Sequence, residues 1–368
     1  MPSNYNGKSY QINQYAFIGC GSLMSVVIPD GVTCIGDYAF QSCTNLTSVT
    51  IGDKVDCIGT CAFLSCKNLL NVVIPESVTS IGDSAFNGCS SLTSIVIPNS
   101  VTSIGYGVFG ACFNLNYNVY QKGKYLGNSQ NPYFVLVDTV DTDFTTFTIH
   151  NDTRFIGGRA FDLCNSLVSV SIPDSVTTIC DYAFSECKSL TSITIPNNVT
   201  SIGKGVFLFC ESLETITVDQ RNNVYHSTGN CVIETASKTV VAGCKSSVIP
   251  NDGIVTSIAE EAFLGSSFAT FTIPDGVTSI GNGAFGACNN LTTVVLPDSV
   301  TSIGMLSFEY CDSLVSIIIP DSVTSIGALA FRGCGDLTIY CEAQSQPSGW
   351  DLAWNSDSCP VVWEYQEK

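Results

Sequence analysis

The sequence is poor in charged residues, and poorest in positively charged ones. Only 12% of its 368 residues are Asp, Glu, Lys or Arg, and 14 Lys and Arg stand against 32 Asp and Glu. The resulting formal net charge of −18 repels nucleic-acid backbones and anionic membrane surfaces. We therefore expect no nucleic-acid partner and no attachment to a membrane surface.

Long apolar runs are also missing. No stretch of about 18 uninterrupted apolar residues occurs, which excludes a spanning helix and predicts no membrane insertion in this segment. The N-terminal sequence MPSNYNGKSYQINQYAF has no apolar run behind a basic region, so it lacks the form of a secretory signal peptide. It represents either the true start of a cytoplasmic protein or the cut edge of a longer one.

Histidine is nearly absent, which argues against several kinds of catalysis. His150 and His226 lie 76 positions apart, and no Ser or Asp is arranged around them as in a catalytic triad or dyad. No C-x-x-C pair or histidine cluster supplies the four converging ligands of a zinc site. We therefore predict no catalytic residue, no metal site and no cofactor.

What the sequence does have is self-similarity. A unit that reads L-x-x-[IV]-x-I-P-[DEN]-x-V-x-x-I-G-x-x-A-F-x-x-C recurs, and within each run its phenylalanine returns after 22 or 23 residues. Such a period indicates a repeat protein. The equivalent phenylalanines are Phe17, Phe40, Phe63, Phe86, Phe109, Phe161, Phe184, Phe207, Phe263, Phe285, Phe308 and Phe331.

Each unit has the pattern of a short strand followed by a turn. In residues 92–97 the apolar side chains can point alternately to one side, as in a strand with one buried face. Pro98 ends the strand, and the three-residue spacing from Val101 to Ile104 is that of a single helical or 3₁₀ turn. One unit cannot bury its own apolar side, so stacked units with parallel strands are expected to share a continuous core.

The unit L-x-x-I-x-I-P-x-S-V-T-S-I-G-x-x-A-F-x-x-C resembles the BspA-like leucine-rich repeats of bacterial and protist surface proteins. The resemblance covers residues 10–340, where the I-G pair, the A-F pair and the Cys recur in register. It implies an α/β solenoid, a right-handed leucine-rich-repeat superhelix with a parallel β-sheet on the concave face and short helical or 3₁₀ turns on the convex face. It also implies a cell-surface or secreted adhesin, as most members are regarded to be.

One repeat contains the stretch 281–286, GNGAFG, which formally matches the G-x-G-x-x-G loop of dinucleotide-binding proteins. That loop needs a strand and a helix of several turns, for which a 23-residue coil has no room. The equivalent stretch 82–87, GDSAFN, keeps only the first glycine. We therefore predict the corner of a coil, in which Gly281 permits a sharp bend.

Two stretches break the register of the repeats. In each, β-rich runs around a Gly- or Asn-containing turn predict a hairpin. The hairpins either project from the rim of the solenoid, where they would bind a partner, or merely complete an extra coil. We divide one continuous solenoid into repeats at 1–115, an insertion with a hairpin and a repeat-like coil at 116–160, repeats at 161–213, a second such insertion at 214–262, repeats at 263–340 and a tryptophan-containing cap at 341–368.

Eleven of the 19 cysteines occupy one column of the repeat. Stacked neighbours in a column have parallel side chains, so we predict free thiols that meet backbone groups. Cys34 and Cys57 match each other outside this column. Cys341 and Cys359 are the predicted disulfide in an oxidising compartment, although so many free thiols favour a reducing or anaerobic one. The column comprises Cys20, Cys43, Cys66, Cys89, Cys112, Cys164, Cys187, Cys210, Cys288, Cys311 and Cys334.

The outward positions of the strands are the predicted binding surface. They form a flat, hydroxyl-rich and weakly apolar face, in which the neighbouring Val295 and Ile318 are the strongest candidates for contact with a partner. Ser and Thr are also ordinary solvent-facing strand residues, so the pattern alone does not require a ligand. The candidates are Ser192, Thr194, Thr215, Thr217, Thr270, Thr272, Thr293, Val295, Ser316 and Ile318.

These observations predict a non-enzymatic protein-binding solenoid, which the family resemblance assigns to cell-surface or secreted adhesins. We expect a protein or glycan ligand and a monomeric protein. The alternative is an intracellular, cytoplasmic scaffold or interaction protein, which the missing signal peptide and the abundant thiols favour. A third interpretation, a carbohydrate-active enzyme, would require ionisable side chains to converge in a closed pocket.

Overall fold

The computed structural model describes residues 8–366. The chain divides into two compact units, each of which is built from stacked coils of parallel strands. The two units are unit 1 (Met1–Val140, Ile149–Ala160 and Thr178–Asp181) and unit 2 (Asp141–Thr148, Phe161–Thr177 and Tyr182–Lys368).

The described residues contain 31 strands and no helix. Most strands have only two to four residues, because each coil turns again after a few extended residues. In chain order the strands are β1 (Tyr10–Ile12), β2 (Ser25–Ile28), β3 (Val32–Ile35), β4 (Ser48–Ile51), β5 (Cys57–Ile58), β6 (Asn71–Val73), β7 (Ser80–Ile81), β8 (Ser94–Val96), β9 (Ser103–Ile104), β10 (Asn118–Tyr120), β11 (Gly123–Leu126), β12 (Val135–Thr139), β13 (Thr146–Thr148), β14 (Phe155–Ile156), β15 (Ser169–Ser171), β16 (Thr178–Ile179), β17 (Ser192–Ile195), β18 (Ser201–Ile202), β19 (Thr215–Val218), β20 (Tyr225–Thr228), β21 (Cys231–Glu234), β22 (Thr239–Ala242), β23 (Ser257–Ile258), β24 (Thr270–Thr272), β25 (Ser279–Ile280), β26 (Thr293–Val295), β27 (Ser302–Ile303), β28 (Ser316–Ile319), β29 (Ser325–Ile326), β30 (Thr338–Cys341) and β31 (Val361–Val362).

Each regular coil of unit 1 contributes one strand to each of two parallel sheets. The first sheet, here called the long ladder, contains β2, β4, β6 and β8. Its register follows the repeat, since Ser25 pairs with Ser48 and Ser48 with Asn71, each 23 residues further on. The second sheet, here called the short ladder, contains β1, β3, β5, β7 and β9.

Unit 2 has the same two kinds of sheet. Its long ladder consists of the pairs β13–β15 and β17–β19 and the series β24–β26–β28–β30–β31, and its short ladder runs through β22, β23, β25, β27 and β29. The predicted solenoid with parallel strands is therefore confirmed, but it is a β-solenoid and not the predicted α/β one. The short ladder was not predicted, because its two-residue strands have no readable alternation.

The predicted helical or 3₁₀ turns are wrong, because the corners of the coils consist of successive tight turns. Tyr38 has a φ of 57°, which lies outside any right-handed helix. The amide of Ala39 donates within its coil to the Gly36 carbonyl (3.2 Å), but the amide of Phe40 donates to the Ala62 carbonyl of the next coil (2.8 Å). Since alternate corner amides leave the coil, a continuous series of helical hydrogen bonds cannot form.

The backbone amides of one coil thus donate in two directions. In the ladders they donate to the preceding coil, as Gly59 does to the Ile35 carbonyl (2.8 Å). In the corners alternate amides donate to the following coil, as Phe40 does to Ala62. Each coil is therefore bonded to both of its neighbours through its own amides.

The core between the ladders and the corners is filled by columns of identical side chains. Phe40, Phe63 and Phe86 are fully buried, and their rings stack at 5.3 and 5.4 Å with interplanar angles of 3°. Phe285 and Phe308 stack in the same way in unit 2, at 5.4 Å. Burying a side chain of this size stabilises the fold by about 1.5–3 kcal/mol, and the stacking contact adds about 0.5–1.5 kcal/mol.

A glycine follows most short-ladder strands because successive coils approach closely there, although Cys180 follows β16 and Ala259 follows β23. An added Cβ at Gly281 would lie 2.5 Å from the carbonyl carbon of Ala259 in the preceding coil. This close approach, rather than the predicted bend, accounts for Gly281, whose φ is not left-handed. Gly283 does have a φ of +58°, but Leu306 adopts the same angle at the same position of the next coil, so glycine is not required at Gly283.

Both insertions enter the short ladder as antiparallel meanders. In unit 1, β10 pairs with β11 and β11 with β12 in antiparallel fashion, and β12 then runs parallel to β14. In unit 2, β20, β21 and β22 have the same arrangement, and β22 runs parallel to β23. Each insertion is therefore hydrogen-bonded into the sheet of its own unit.

The prediction of free thiols in the cysteine column is confirmed, and at least nine of its eleven members contact a backbone carbonyl of the preceding coil. The Sγ of Cys66, for example, lies 3.2 Å from the Phe40 carbonyl oxygen, and that of Cys311 lies 3.2 Å from the Phe285 oxygen. Each of these oxygens also accepts a backbone amide of its own turn, as Phe40 does from Cys43 (3.2 Å), so the weak S–H donor adds a second contact to the same carbonyl.

The predicted disulfide between Cys341 and Cys359 is wrong, since both residues are free and buried. The Sγ of Cys359 lies 3.6 Å from the Cys334 carbonyl oxygen, so Cys359 extends the cysteine column into the cap. The disulfide of the structure joins Cys34 and Cys57 instead. These two residues pair directly across β3 and β5, with their Cα atoms 4.9 Å apart.

Aromatic side chains cover the last coils of unit 2. Trp350 and Trp354 are both 4% exposed, and their rings lie 4.7 Å apart. The Nε1 of Trp350 donates to the Val323 carbonyl at 3.0 Å, and β31 adds a final parallel strand to β30. Because Trp350 and Trp354 are buried, they act as a cap on the core and do not form an exposed binding surface.

Candidate functional site

The exposed face of the long ladder in unit 2 carries all ten predicted binding residues. In β17, Ser192 and Thr194 are exposed while Ile193 between them is buried, because successive side chains of a strand point to opposite faces. Eight of the ten candidates are exposed, and Ser316 and Ile318 are half-buried. Sequence alternation therefore placed these residues on the solvent side of the sheet.

The structure brings the candidates together in two groups. Thr194 and Thr217 face each other across β17 and β19, with their hydroxyl oxygens 2.9 Å apart. Thr272 and Val295 are paired across β24 and β26. Since β17–β19 and β24–β26–β28 belong to different sheets, the ten residues do not form one uninterrupted row.

The long ladder of unit 1 exposes a surface that the sequence analysis did not select. Val27, Val73 and Val96 point outward from β2, β6 and β8 with exposed fractions of 63%, 70% and 50%, in register with one another through Thr50 of β4. Met24 and Leu70, just before their strands, are 67% and 49% exposed. We call Met24, Val27, Leu70, Val73 and Val96 the apolar strip.

The apolar strip is unusual because Val73 and Val96 are exposed side by side on β6 and β8, although Thr50 of β4 separates them from Val27. Single exposed apolar residues are normal on soluble proteins, whereas groups of them are more frequent at surfaces that contact another molecule. The signal was present in the sequence, because the same alternation that exposes the threonines of unit 2 exposes Val27, Val73 and Val96. The ten predicted residues are mostly serines and threonines of unit 2, and only the exposed fractions of the side chains identify the apolar strip.

Carboxylates border the apolar strip where the strands end. Asp30, Asp53 and Glu76 are exposed in the turns after β2, β4 and β6. The Oδ1 of Asp30 accepts a hydrogen bond from the backbone amide of Asp53 at 3.0 Å, which gives this aspartate a structural role in holding adjacent turns together. The same row places negative charge along one edge of the strip.

The two histidines are held by local interactions. The Nδ1 of His150 accepts a hydrogen bond from the Asp152 amide at 3.2 Å, and its ring stacks on Tyr133 with a centroid distance of 3.9 Å. In unit 2, the Nδ1 of His226 lies 2.9 Å from the hydroxyl oxygen of Thr235. The Asp152 carboxylate lies 3.7 Å from the Nδ1 of His150, but among the described residues neither histidine is placed between a nucleophile and an orienting carboxylate as in a catalytic triad.

The column thiols are chemically protected. Burial raises the pKa of Cys66 to about 12 and that of Cys112 to about 11, so these groups stay protonated near neutral pH. The thiolate is the reactive form of cysteine, and such residues are therefore poor nucleophiles and poor metal ligands. Between residues 8 and 366, no group of three or more His, Cys, Asp or Glu side chains is placed to hold a metal ion.

The part of the chain that the structure describes has no helix that is long and apolar enough to cross a membrane.

Comparison with known proteins gives a family match over most of the chain. A family described as the BspA type leucine rich repeat region, in 6 copies, matches residues 10–130, 140–252 and 256–344. No curated protein matches the sequence.

Two solved structures are similar over nearly the whole chain. One is a leucine rich cell surface protein from Faecalibacterium prausnitzii, with 28% identity, a TM-score of 0.51, and coverage of 99% of this chain and 93% of the other. Another is a leucine-rich repeat protein from Bacteroides ovatus, with 25% identity, a TM-score of 0.37, and coverage of 99% and 91%.

Proposed function

This chain belongs to the BspA-type leucine-rich repeat family, and from that premise we propose that it is a non-enzymatic binding protein of the cell surface or the secreted fraction. Its ligand is a protein, which it contacts through the exposed face of the long ladders. The similar Faecalibacterium protein, a cell surface protein by its description, supports the location.

One observation carries the binding role, and it is the apolar strip of unit 1. Val73, at 70% exposed, is flanked by Val96 and Thr50 on neighbouring strands of a hydrogen-bonded sheet. Covering such side chains contributes about 25 cal/mol for each Å² of apolar surface removed from water. Because the sheet holds them in fixed positions, little conformational entropy is lost when a partner binds.

The ten candidates on unit 2 form a second and more polar binding surface, which is also the exposed face of a long ladder. Hydroxyl groups such as those of Thr194 and Thr217 can exchange hydrogen bonds with a partner and fix its orientation. The partner we propose is therefore a protein with an apolar centre, which contacts the strip, and a polar rim.

The test is binding of the purified protein to arrays of extracellular-matrix proteins and of glycans. We expect protein ligands, and we expect Val73→Lys to weaken binding more than tenfold, because it places a charge in the centre of the strip. Thr217→Lys and the double variant Thr293→Lys/Ile318→Lys test unit 2 in the same assay. Unchanged binding in all three variants would contradict the strand-face proposal, and binding to glycans alone would contradict a protein ligand.

A second candidate function, that of an intracellular scaffold, is favoured by one observation. The chain has 17 free cysteines beside a single disulfide, a ratio typical of a reducing compartment. Localisation with an antibody on intact and on permeabilised cells separates the two proposals. Labelling of intact cells supports the surface protein, and labelling only after permeabilisation supports the scaffold.

A further inference from the structure

Unit 1 carries an open groove on its short ladder, separate from the apolar strip on its long ladder. The groove has a volume of about 550 Å³ and crosses five successive coils, from Gln11 to Gly105. Its floor is the glycine column after the short-ladder strands. One wall contains the Cys34–Cys57 disulfide and the other contains Asp37 and Asp83.

The floor of the groove consists of glycines because successive coils approach too closely there for a Cβ atom. At Gly82 an added Cβ would lie 2.5 Å from the Thr60 backbone nitrogen of the preceding coil, and Gly59 is equally tight against Asp37. The amide of Gly82 already donates to the Ile58 carbonyl at 2.8 Å. The floor therefore offers a flat backbone surface, and polar recognition of a ligand depends on the walls.

The walls of the groove are acidic and regularly spaced. Asp37 and Asp83 are exposed, and none of the residues that line the groove is Lys or Arg. The Oδ1 atoms of Asp37 and Asp83 accept the backbone amides of Thr60 and Tyr106, each at 2.8 Å, which fixes both carboxylates in place. Since they are two coils apart, their separation along the groove is about 10 Å.

Aromatic rings lie next to this acidic wall. Tyr15 and Tyr38, which follow the groove residues Gln14 and Asp37 in the chain, stack with their centroids 5.0 Å apart. Tyr15 is 49% exposed. An exposed tyrosine beside a carboxylate attracts a cation both through its ring face and through the neighbouring negative charge.

We propose that this groove binds an extended segment of another protein that is in the polyproline II conformation and has Lys or Arg at every third position. A polyproline II helix has three residues per turn and a rise of about 3.1 Å per residue, so these basic residues lie on one side about 9 Å apart. This distance matches the spacing of Asp37 and Asp83. A β-strand presents same-side residues about 7 Å apart and does not match.

The length of the groove sets the length of the segment. Five coils span about four strand spacings, or about 19 Å, which corresponds to about six residues of polyproline II. Such a segment is pre-ordered by its prolines, so it loses little entropy on binding a shallow surface.

Peptide binding tests the proposal directly. A fluorescent (Lys-Pro-Pro)₃ peptide should bind the full chain, and its affinity should fall as salt is added, since the contacts are between exposed charges. A (Glu-Pro-Pro)₃ peptide should not bind, and a peptide of the same composition with its three lysines adjacent should bind at least threefold more weakly. Equal binding of all three peptides, or no binding of (Lys-Pro-Pro)₃ at millimolar concentration, overturns the proposal.

Variants of the two aspartates locate the binding site. Asp37→Asn and Asp83→Asn remove the charge but keep an amide oxygen for the coil contact, and the chain itself uses Asn282 in this role, accepting the Met305 amide at 2.9 Å. Each variant should weaken peptide binding about threefold and the double variant about tenfold. The matched control Glu76→Gln, which removes a charge outside the groove, should leave binding unchanged.

Two results would refute the site even if the peptide binds. One is unchanged affinity in the double variant Asp37→Asn/Asp83→Asn, and the other is an equal loss in Glu76→Gln, which would indicate attraction by overall charge. Val73→Lys, which tests the strand-face proposal, should lower the affinity for this peptide by less than twofold, so the two proposals can fail separately.

Discussion

The long ladders of units 1 and 2 have the same strand register and differ on the side that faces solvent. The buried positions hold apolar residues in both, as Ile95 of β8 and Ile193 of β17 illustrate. The exposed column of unit 1 contains Val73 and Val96, whereas that of unit 2 contains Thr194 and Thr217 in one pair of strands and Val295 and the half-buried Ile318 in another series. Packing in the core therefore restricts the inward positions to apolar residues, whereas the fold does not restrict the outward positions in this way.

The difference between the two faces has a chemical consequence. Thr194 and Thr217 bond to each other and remain compatible with water. Val27 and Val73 have no polar group to offer, and water is their least favourable neighbour. Covering 1 Å² of the exposed valines therefore contributes more free energy than covering the same area of the threonines.

The largest effect should come from the core, where we expect the two units to behave alike. Phe63→Ala in unit 1 and Phe308→Ala in unit 2 each remove a fully buried, stacked ring, and each should lower the free energy of unfolding by about 3–5 kcal/mol. Denaturant unfolding followed by tyrosine and tryptophan fluorescence measures the loss. A loss in one unit that is less than half of the other would break the assumption of a common core.

The second-largest effect should come from the disulfide, which is found on the short ladder of unit 1 and not on that of unit 2. Cys57→Ser removes the disulfide that closes a 23-residue loop in unit 1, and should destabilise the protein by about 2–4 kcal/mol. Adding a reductant should destabilise the unmodified protein by the same amount and leave the variant unaffected. The control Ser302→Ala, on the short ladder of unit 2, should change stability by less than about 0.5 kcal/mol. A reductant effect that persists in Cys57→Ser would argue against this disulfide.

The smallest effects should sharpen the comparison of the exposed faces. Thr217→Val removes the hydroxyl contact with Thr194 and should cost about 0.2–1 kcal/mol, while Val73→Thr should change stability by less than about 0.5 kcal/mol. The same Val73→Thr variant should reduce the binding of a hydrophobic dye, whereas Thr217→Val should raise it. Thermal unfolding and dye fluorescence provide both measurements. Equal dye binding in the two variants would remove the distinction between the faces.

Much of the fold could be predicted from single repeats. Strand β8 falls within the stretch 92–97 that was predicted to be extended. The prediction was possible because three successive residues are enough to show the alternation of exposed and buried side chains. The corner between Val101 and Phe109 was mispredicted, since apolar residues three apart fit a chain of turns as well as a helix. The deciding fact was the left-handed φ of residues such as Tyr38, which no side-chain pattern reports.

The predictions for cysteines and for the binding surface show the same limit. The repeat period was enough to predict free thiols in the cysteine column. It was not enough to predict the disulfide, because Cys34 and Cys57 pair only through the short ladder, which was not predicted. The ten candidates on unit 2 are on the exposed face, and their role in binding stays a prediction. Strand alternation also places Val27, Val73 and Val96 outward, and the exposed fractions in the structure then identify them as the apolar strip.

The two-way donation of backbone amides has a consequence for how the chain folds during synthesis. A coil that has just left the ribosome can pair its ladder amides with the coil before it, as Gly59 does with Ile35. Alternate corner amides cannot yet pair, since those of Phe40 and its equivalents find their acceptors only in the coil that follows. We therefore expect each coil to complete its corner hydrogen bonds only after the next coil has been synthesised. The most recently made coil then lacks these bonds, and the cap supplies them for the last coil.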